Sequence, residues 1–597
     1  METRWTKAVD PESTLPAYPR PQMVRKQWLN LNGLWEYAVV PKEQQSVADY
    51  QGEILVPFCI ESALSGLKRP LQPQERLWYR RKFELPRNWA DQRVLLHFGA
   101  VDWEASVSIN GHHLGVHRGG YLPFSFDVTT HLKALENELV VSVWDPTDTH
   151  WQQKGKQVLE PEQVFYTAVS GIWQTVWLEP VPQTHITRLK ITPDIDSEQV
   201  KLEVFCAGED SIRVVASVTE DGREVACAEG NVATEMLLEI KEPKLWSPDS
   251  PHLYDLNVHL SVDGVNTDEV ASYFGMRKFG IAEDATGTPR MTLNNEFLFH
   301  NGLLDQGYWP DGLYTAPCDD ALKYDIEVSK RLGFNMIRKH IKIEPARWYY
   351  HCDRIGIIVW QDMVNGGKIS VSIPQMMLGM NGWLRRDDTT QKHYTKAWRE
   401  DTASRDDFER EWRETIDTLY NTTSVGVWVP FNEAWGQFDA NRIGKQVKEH
   451  DPTRTVDHAS GWIDQGCPDL QSHHIYFRKL MAPKVTNGRV LVLSEYGGYS
   501  LKVPGHIWRK DKSFGYRKFK SSEELLNAYT SLIRGQLIPL IPAGYAAAVY
   551  TQTTDIETEI NGLLTYDRKV VKMSEKAVRQ LNDDLIFQGS GQSPQIR

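Results

Sequence analysis

The sequence of 597 residues lacks three features that would define its class at once. No run approaches the roughly 18 apolar residues of a membrane span, so we expect no membrane partner. Its 6 cysteines form no Cys-x-x-Cys pair, which argues against a zinc or disulfide framework. Basic residues are in deficit, with 67 Lys and Arg against 79 Asp and Glu. The net charge of −12 therefore disfavours a nucleic-acid partner.

The amino-terminal stretch lacks an apolar segment after a basic start, so as written it predicts no signal peptide and a cytoplasmic location. A secreted or periplasmic location stays open if a signal peptide has been removed. The most basic stretch, residues 502–520, is typical of a solvated loop. Its interleaved aromatic residues leave open a place at the rim of a binding cleft. The sequence also leaves open a homo-oligomer.

What is present divides the chain into three parts. Residues 1–181 alternate in the manner of strands, and Asn110-Gly111 between two alternations predicts a β-hairpin, so we expect a jelly-roll β-sandwich. Residues 182–282 predict an immunoglobulin-like β-sandwich. Residues 283–597 alternate strand-like and helix-like runs, which indicates a (β/α)₈ TIM barrel. The eight predicted strands are residues 296–303, 334–340, 356–362, 425–433, 455–460, 472–476, 489–498 and 544–552.

Two helical patterns in the barrel region are clear, at residues 318–333 and 408–421. In the second, Phe408, Trp412, Ile416 and Leu419 fall on one face. Residues 363–407 show little pattern and predict a long loop at the carboxyl face of the barrel, as a lid or a cleft wall.

Two glutamates follow apolar strand runs. Glu433 comes after "VGVWV" and Asn432, and Glu495 lies in "VLVLSEYGG". In a barrel, both carboxylates would point into one mouth from opposite sides. Glycoside hydrolysis needs such a pair, one to protonate the leaving oxygen and one to attack the anomeric carbon or activate water. We therefore expect Glu433 to be the acid and Glu495 the nucleophile.

The nucleophile has to stay ionised, and Arg338 and Tyr476 are the candidates for holding it so. Asn432 would bond the sugar 2-hydroxyl, an interaction that strengthens at the transition state.

Longer motifs resemble glycoside hydrolase family 2, the family of β-galactosidases, β-glucuronidases and β-mannosidases. "INGHHLGVHRGGYLPFSFDVT" and "SGIWQTVWLEP" resemble its sugar-binding jelly roll, "FNEAWGQ" its acid/base motif and "SEYGG" its nucleophile motif. The resemblance implies a retaining exo-β-glycosidase with a carbohydrate substrate. It also implies that Asn432, Arg338, His340 and Tyr476 line the subsite for the cleaved sugar.

Two departures from the family pattern narrow the substrate. Classical β-galactosidases carry an acidic/His metal motif after strand three, but "WQDMVNGGKIS" offers only Asp362, so we expect no catalytic metal and no cofactor. Glucuronidases carry an Asn-x-Lys clamp after strand eight. Here Glu559 and Asn561 stand in that stretch without a lysine, and an acidic residue would repel a uronate.

Further side chains at predicted strand ends are candidates for substrate contact: Asp305, Trp309, Asp362, His474 and Tyr550. The favoured reading is a neutral-sugar β-glycosidase, β-galactosidase-like. Other family activities (furanosidase, arabinosidase, mannosidase, glucuronidase) and a non-catalytic carbohydrate-binding protein remain alternatives. An inverting enzyme is a further alternative, with carboxylates about 6.5–9.5 Å apart instead of about 5–5.5 Å.

Overall fold

The amino-terminal sandwich is built from two antiparallel sheets whose inner faces share one apolar core. The computed structural model describes residues 1–591 apart from 90–91, 209–211, 263, 380–383, 385 and 483–487. The first sheet contains, in spatial order, Leu29–Asn30, Val176–Val181, Arg93–Phe98 and Phe124–Asp127. The second contains Gly52–Val56, Gly33–Pro41, Glu75–Glu84, Glu136–Trp144, Glu104–Ile109 and His112–Arg118. Its last two strands form the hairpin predicted at Asn110-Gly111, where both residues have positive φ.

The second sandwich packs a three-stranded sheet on a four-stranded one. The sheets contain His185–Asp194, Gln199–Ala207 and Met236–Glu239, and Arg223–Asn231, Ile212–Glu220, Tyr254–Val262 and Val265–Phe274. Alternating residues such as Val200, Leu202 and Val204 face the core, as the period of two predicts. The immunoglobulin-like fold class is confirmed.

A small sheet of Phe279–Glu283, Pro289–Leu293 and Glu296–Phe297 leads into the barrel. Residues 296–297 were predicted to open the first barrel strand, but Asn294 and Asn295 adopt positive φ and turn the chain back on itself. The first barrel strand begins at His300 instead. Phe279, Met291 and Leu293 pack against the apolar barrel interior. The predicted boundary between residues 282 and 283 falls inside this hairpin, and the domain limits stay predictions.

The barrel contains the eight predicted strands in one parallel sheet. They are β1 (His300–Asp305), β2 (Met336–Lys339), β3 (Ile358–Asp362), β4 (Val425–Val429), β5 (Thr455–Val456), β6 (Leu470–Ile475), β7 (Val490–Gly497) and β8 (Tyr545–Thr551). The hydrogen-bonded order is β5-β4-β3-β2-β1-β8-β7-β6. Between β5 and β6, the Ser472 hydroxyl donates to Asp457 at 2.9 Å, so the barrel is nearly closed. The TIM-barrel prediction is confirmed.

Helices lie between most of the strands. They are α1 (Asp319–Arg331), α2 (Ala346–Ile355), α3 (Ile373–Gly379), α4 (Gln391–Ala397), α5 (Thr402–Leu419), α6 (Ala440–His450), α7 (Ser522–Leu532) and α8 (Glu575–Gly589). The predicted apolar face of α5 is buried. No helix in the described ranges is both long enough and apolar enough to cross a membrane.

The segment at residues 363–407 is more ordered than its sequence predicts. It contains α3, α4 and the first turns of α5, where the prediction was a loop. Residues 380–383 and 385 of this segment lie outside the described residues. The Asn365 side chain donates to the Trp435 carbonyl at 3.1 Å, and Ile369 bridges to Trp435. The segment therefore lies beside the strand end that carries Glu433.

Candidate active site

Glu433 is presented by a sharp turn just after β4. Asn432 pairs with Ser460 in a two-residue extension of the sheet, and the Glu433 N–H donates to the Ser460 carbonyl at 2.8 Å. Glu433 and Ala434 have φ of 51° and 61°, left-handed values that are uncommon for residues other than glycine. Such backbone is concentrated at functional sites, where the surrounding structure holds it in place. The Glu433 side chain remains 23% exposed.

Glu495 lies at the end of β7 and is almost fully buried, with 6% of its side chain exposed. The Tyr476 hydroxyl donates to one carboxylate oxygen, and Arg338 donates to the other at 3.2 Å. Burial alone would raise the pKa of Glu495, but electrostatic attraction to the His474 ring, whose Nε2 lies 3.6 Å away, and to Arg338, together with the Tyr476 hydrogen bond, outweighs this effect. The resulting pKa is lowered to about 2. This carboxylate is therefore ionised across the physiological range.

The two carboxylates face one another across the mouth of the barrel. One oxygen of Glu433, one of Glu495 and a ring nitrogen of His474 all lie within 4.8 Å of one another. Carboxyl groups about 5–5.5 Å apart are typical of retaining glycosidases, and about 6.5–9.5 Å is typical of inverting ones. The separation is on the short side, which favours a retaining geometry.

Arg338 joins three other side chains of the site. Its guanidinium donates twice to Asp362 at 2.9 and 3.0 Å, to the Asn432 side-chain oxygen at 2.9 Å and to Glu495. Because the Asn432 side-chain oxygen accepts from Arg338, its amide N–H groups remain available to donate to a ligand.

His340 is held by the same aspartate. Burial lowers the pKa of His340 well below its usual value, so the neutral ring donates from Nδ1 to Asp362 at 2.9 Å.

One wall of the mouth comes from the amino-terminal sandwich. The Gly155 N–H donates to the Asn365 carbonyl at 2.9 Å, and the Thr167 N–H donates to Glu557 at 3.0 Å. These contacts place the segment of residues 152–167 between the loops that follow β3 and β8. Phe165 meets the Trp435 ring edge-on, with centroids 5.4 Å apart.

This wall brings Lys156 and Tyr166 to Glu559. The Tyr166 hydroxyl and the Asn561 amide both donate to the buried Glu559 carboxylate. Burial raises the pKa of Glu559, against the charge of Lys156 and these two hydrogen bonds. Within the described part of the chain, no carboxylate lies within 4.0 Å of the Lys156 ammonium. Lys156 therefore supplies a cation that protein acids do not neutralise directly.

The structure thus brings together eight of the eleven predicted site residues. They are the two glutamates, Glu433 and Glu495, and around them Asn432, Arg338, His340, Tyr476, Asp362 and His474. Three predicted contacts lie elsewhere. Asp305 pairs with the buried Lys339 at 2.7 Å, on the side of the sheet away from Arg338.

Trp309 and Tyr550 are also placed in apolar cores. Trp309 is 3% exposed and packs against Trp5 and the Arg568 guanidinium. Tyr550 lies in the layer between the barrel and its helices, 5.1 Å from the Tyr529 ring. Neither ring faces the two carboxylates. Tyr550 points to the outer side of the sheet because alternate residues of a strand point to opposite sides, and Trp309 lies beyond the end of β1.

Sequence reasoning missed Lys156 and Tyr166, and it placed Tyr516 only as a general rim aromatic. The Tyr516 ring stacks on Tyr476 with centroids 3.9 Å apart. For Tyr516 the only local sequence signal was the aromatic content of residues 502–520. No local sequence signal pointed to Lys156, since its position depends on the packing of two domains.

Glu433, His474 and Glu495 are also the only group of three clustered metal-ligand side chains among the described residues. An imidazole in the set is unlike the all-oxygen coordination that Mg²⁺ prefers. The expectation of no catalytic metal stays a prediction.

Comparison with known proteins agrees with the motifs along almost the whole chain. The profiles for glycosyl hydrolases family 2 match residues 20–182 (sugar binding domain), 184–277 and 315–577 (TIM barrel domain). The chain belongs to glycoside hydrolase family 2.

Relatives within the family carry different names. A putative beta-glucuronidase of Formosa agariphila is 27% identical over 64% of this chain, and a beta-galactosidase of Thermoanaerobacter pseudethanolicus is 28% identical over 48%. The chain spans only 34% and 39% of the lengths of these two relatives. A solved beta-glucuronidase of Ruminococcus gnavus aligns over 96% of this chain and 99% of its own, with a TM-score of 0.74 and 16% identity. At that identity the likeness shows the fold alone.

The Arg338 network gives a stability prediction. Replacing Arg338 with Met should lower the free energy of unfolding by about 3–5 kcal/mol, because it leaves the buried Asp362 carboxylate without its cation. Urea or thermal unfolding measures this loss. As a control, Lys26→Met breaks an exposed pair with Glu269 and should change nothing measurable. Equal stability of the two variants would show that the network is not structural.

Proposed function

We propose that this chain is a retaining exo-β-glycosidase that removes a terminal neutral sugar by double displacement. The observation that carries the proposal is a pair of carboxylates within 4.8 Å whose surroundings differ sharply. Glu495 is held ionised by Arg338 and Tyr476, as a nucleophile requires. Glu433 is partly exposed and borders the His474 imidazole, as suits an acid that exchanges protons with the leaving group and with water.

In the first step, a Glu495 oxygen attacks the anomeric carbon while Glu433 donates its proton to the departing glycosidic oxygen. The product is a covalent glycosyl ester on Glu495. In the second step, Glu433 takes a proton from water, the water oxygen attacks the anomeric carbon, and Glu495 leaves as a carboxylate. The Asn432 amide, oriented by Arg338, would donate to the sugar 2-hydroxyl.

Glu559 favours a neutral sugar over a uronate. Its carboxylate is fixed by two donors within electrostatic reach of Glu495, so a sugar carboxylate there would add a further like charge. The name of the Thermoanaerobacter relative makes a β-galactoside the first substrate to test.

A second candidate, a β-uronide, is supported by Lys156. Its ammonium lies 5.7 Å from the Tyr166 ring centroid and has no carboxylate within 4.0 Å in the described part of the chain. It could therefore pair with a sugar carboxylate. The name of the Formosa relative points the same way.

A screen of β-nitrophenyl glycosides separates the two candidates. We expect cleavage of a neutral glycoside, with β-glucuronide and β-galacturonide hydrolysed at most slowly. Fast uronide hydrolysis, abolished by Lys156→Met, would instead establish the second candidate. α-Glycosides are the negative control, and furanosides extend the screen if every β-pyranoside is inert.

The roles of the two carboxylates give a second test. Glu495→Gln should abolish turnover without unfolding the protein, and azide should not restore product of the original configuration. Glu433→Ala should lower kcat/KM by about 10²–10⁴-fold on substrates with poor leaving groups, yet cleave activated aryl glycosides. Azide should then yield the β-glycosyl azide.

The matched control for these variants is Glu523→Gln, an exposed glutamate in the first turn of α7. Full activity of Glu495→Gln would remove it as nucleophile. Binding of sugar by every variant without turnover by the native protein would revive the non-catalytic alternative.

The ionisation of Glu495 gives a pH prediction. Tyr476→Phe keeps the ring stacked on Tyr516 but removes the hydroxyl that stabilises the carboxylate, so the pKa of Glu495 rises from about 2. A hydrogen bond to a charged group contributes about 1.5–3 kcal/mol, which corresponds to about one to two pH units. The acidic limb of kcat/KM should therefore move to higher pH by that amount.

Because the nucleophile must be ionised, activity disappears as the pH falls through this pKa and is retained above it. Tyr529→Phe removes a buried hydroxyl that bonds Asn582 outside the site, and it should leave the limb in place. An acidic limb unmoved in Tyr476→Phe would contradict the assigned contact.

A further inference from the structure

One histidine stands between the two candidate catalytic carboxylates. His474 Nδ1 lies 2.8 Å from a Glu433 oxygen, while Nε2 lies 3.0 Å from the Ser460 hydroxyl and 3.6 Å from a Glu495 oxygen. The side chain has no exposed surface. The imidazole is therefore the direct neighbour of the proposed acid.

The ring is fixed from behind by Gly461. A Cβ at residue 461 would stand 3.0 Å from both Cε1 and Nδ1 of His474, and the φ of 101° there favours glycine. The preceding residue, Ser460, holds both partners, since its carbonyl accepts from the Glu433 N–H and its hydroxyl contacts Nε2. The distance between Glu433 and His474 is thus set by a short rigid segment.

A chain of hydroxyl groups determines which ring nitrogen carries the proton. Ser494 donates to the His473 carbonyl at 3.5 Å, and Ser460 donates to Ser494 at 2.9 Å. Each hydroxyl has one hydrogen, so Ser460 can only accept from His474 Nε2. In the neutral ring, Nδ1 is then an acceptor, and the hydrogen between it and Glu433 must belong to the Glu433 carboxyl.

We propose that His474 is a positioning residue that accepts a hydrogen bond from protonated Glu433 and so keeps the acid protonated and correctly oriented between turnovers. The inference rests on the proposed function. In the first step, Glu433 transfers this proton to the leaving oxygen and Nδ1 loses its donor. In the second step, Glu433 takes a proton from water, and the hydrogen bond to Nδ1 forms again. His474 ends each cycle with the single proton on Nε2 with which it began.

Other charged and titratable groups surround this ring from neighbouring strands. They are Glu433 after β4, Glu495 on β7, Arg338 on β2, His340 after β2, Asp362 on β3 and Asp457 after β5. On β6 itself the adjacent His473 points to the other side and contacts Gln471. Since several of these groups titrate, the test does not rely on a pH profile. It relies on the leaving group of the substrate.

The test compares two glycosides of the sugar identified by the screen, one with a dinitrophenyl leaving group and one with an alkyl leaving group. His474→Phe keeps a ring but removes both hydrogen bonds. We expect its kcat/KM to fall about 10²-fold on the alkyl glycoside, which needs acid assistance, and less than about tenfold on the dinitrophenyl glycoside. His474→Asn, whose amide oxygen can replace Nδ1 as acceptor, should recover part of the loss.

Ser460→Ala is the second variant, and it leaves the ring in place. Without the hydroxyl chain, Nδ1 can carry the ring proton, so a smaller loss confined to the alkyl glycoside is expected. His473→Phe is the matched control, because its side chain points away and contacts Gln471. Circular dichroism and thermal unfolding establish that each variant is folded.

Equal losses on both substrates, or none, would overturn the role of His474. Glu433→Ala in the same assay separates this from failure of the proposed function. If Glu433→Ala shows the leaving-group dependence and His474→Phe does not, only the role of His474 fails. If Glu433→Ala also lacks it, Glu433 is not the acid.

Discussion

The site depends on one buried cation. Arg338 reaches Asp362 from β3, Asn432 beyond β4 and Glu495 on β7, so a single guanidinium fixes side chains from three other strands of the barrel. Its planar fork can serve all three because it presents five donors in fixed directions. A buried charge of this kind contributes little net stability, but removing it leaves carboxylates without compensation. The network therefore ties the geometry of the site to the closure of the barrel.

The strand count and the candidate pair were predictable because each is a local signal. Apolar runs at regular intervals gave the eight barrel strands, and both glutamates end such runs. The errors came from side-chain direction. Val549 faces the barrel interior, whereas the next residue, Tyr550, faces the outer layer. In the same way Arg338 points to Glu495 in the site, whereas Lys339 points to the other side of the sheet and pairs with Asp305. The end of a strand tells which residues lie near the mouth of the barrel. Which of them points into the mouth depends on the register, because a shift of one residue turns every side chain to the opposite side of the sheet.

Other features had no local signal at all. Lys156 meets Glu559 across about 400 residues of sequence, because the segment at residues 152–167 docks on loops of another domain. The helices within residues 363–407 were missed since their short turns lack a long apolar period. The charges that line the mouth of the barrel thus depend on how the domains pack. The absence of a lysine after β8 therefore does not by itself exclude a cation in the site, because Lys156 comes from another domain.

Two carboxylates this close cannot both be ionised without a penalty. At 4.8 Å, the separation within which their nearest oxygens lie, like charges repel by about 3 kcal/mol at an effective dielectric constant of about 20. One proton shared by the pair removes that repulsion, and the surroundings decide where it resides. Glu495 has a guanidinium and a hydroxyl donor, which stabilise the anion. In the role proposed for His474, its imidazole lone pair accepts the hydrogen of the Glu433 carboxyl. The same short distance that suits double displacement thus requires unequal neighbours, and Arg338 and His474 provide them.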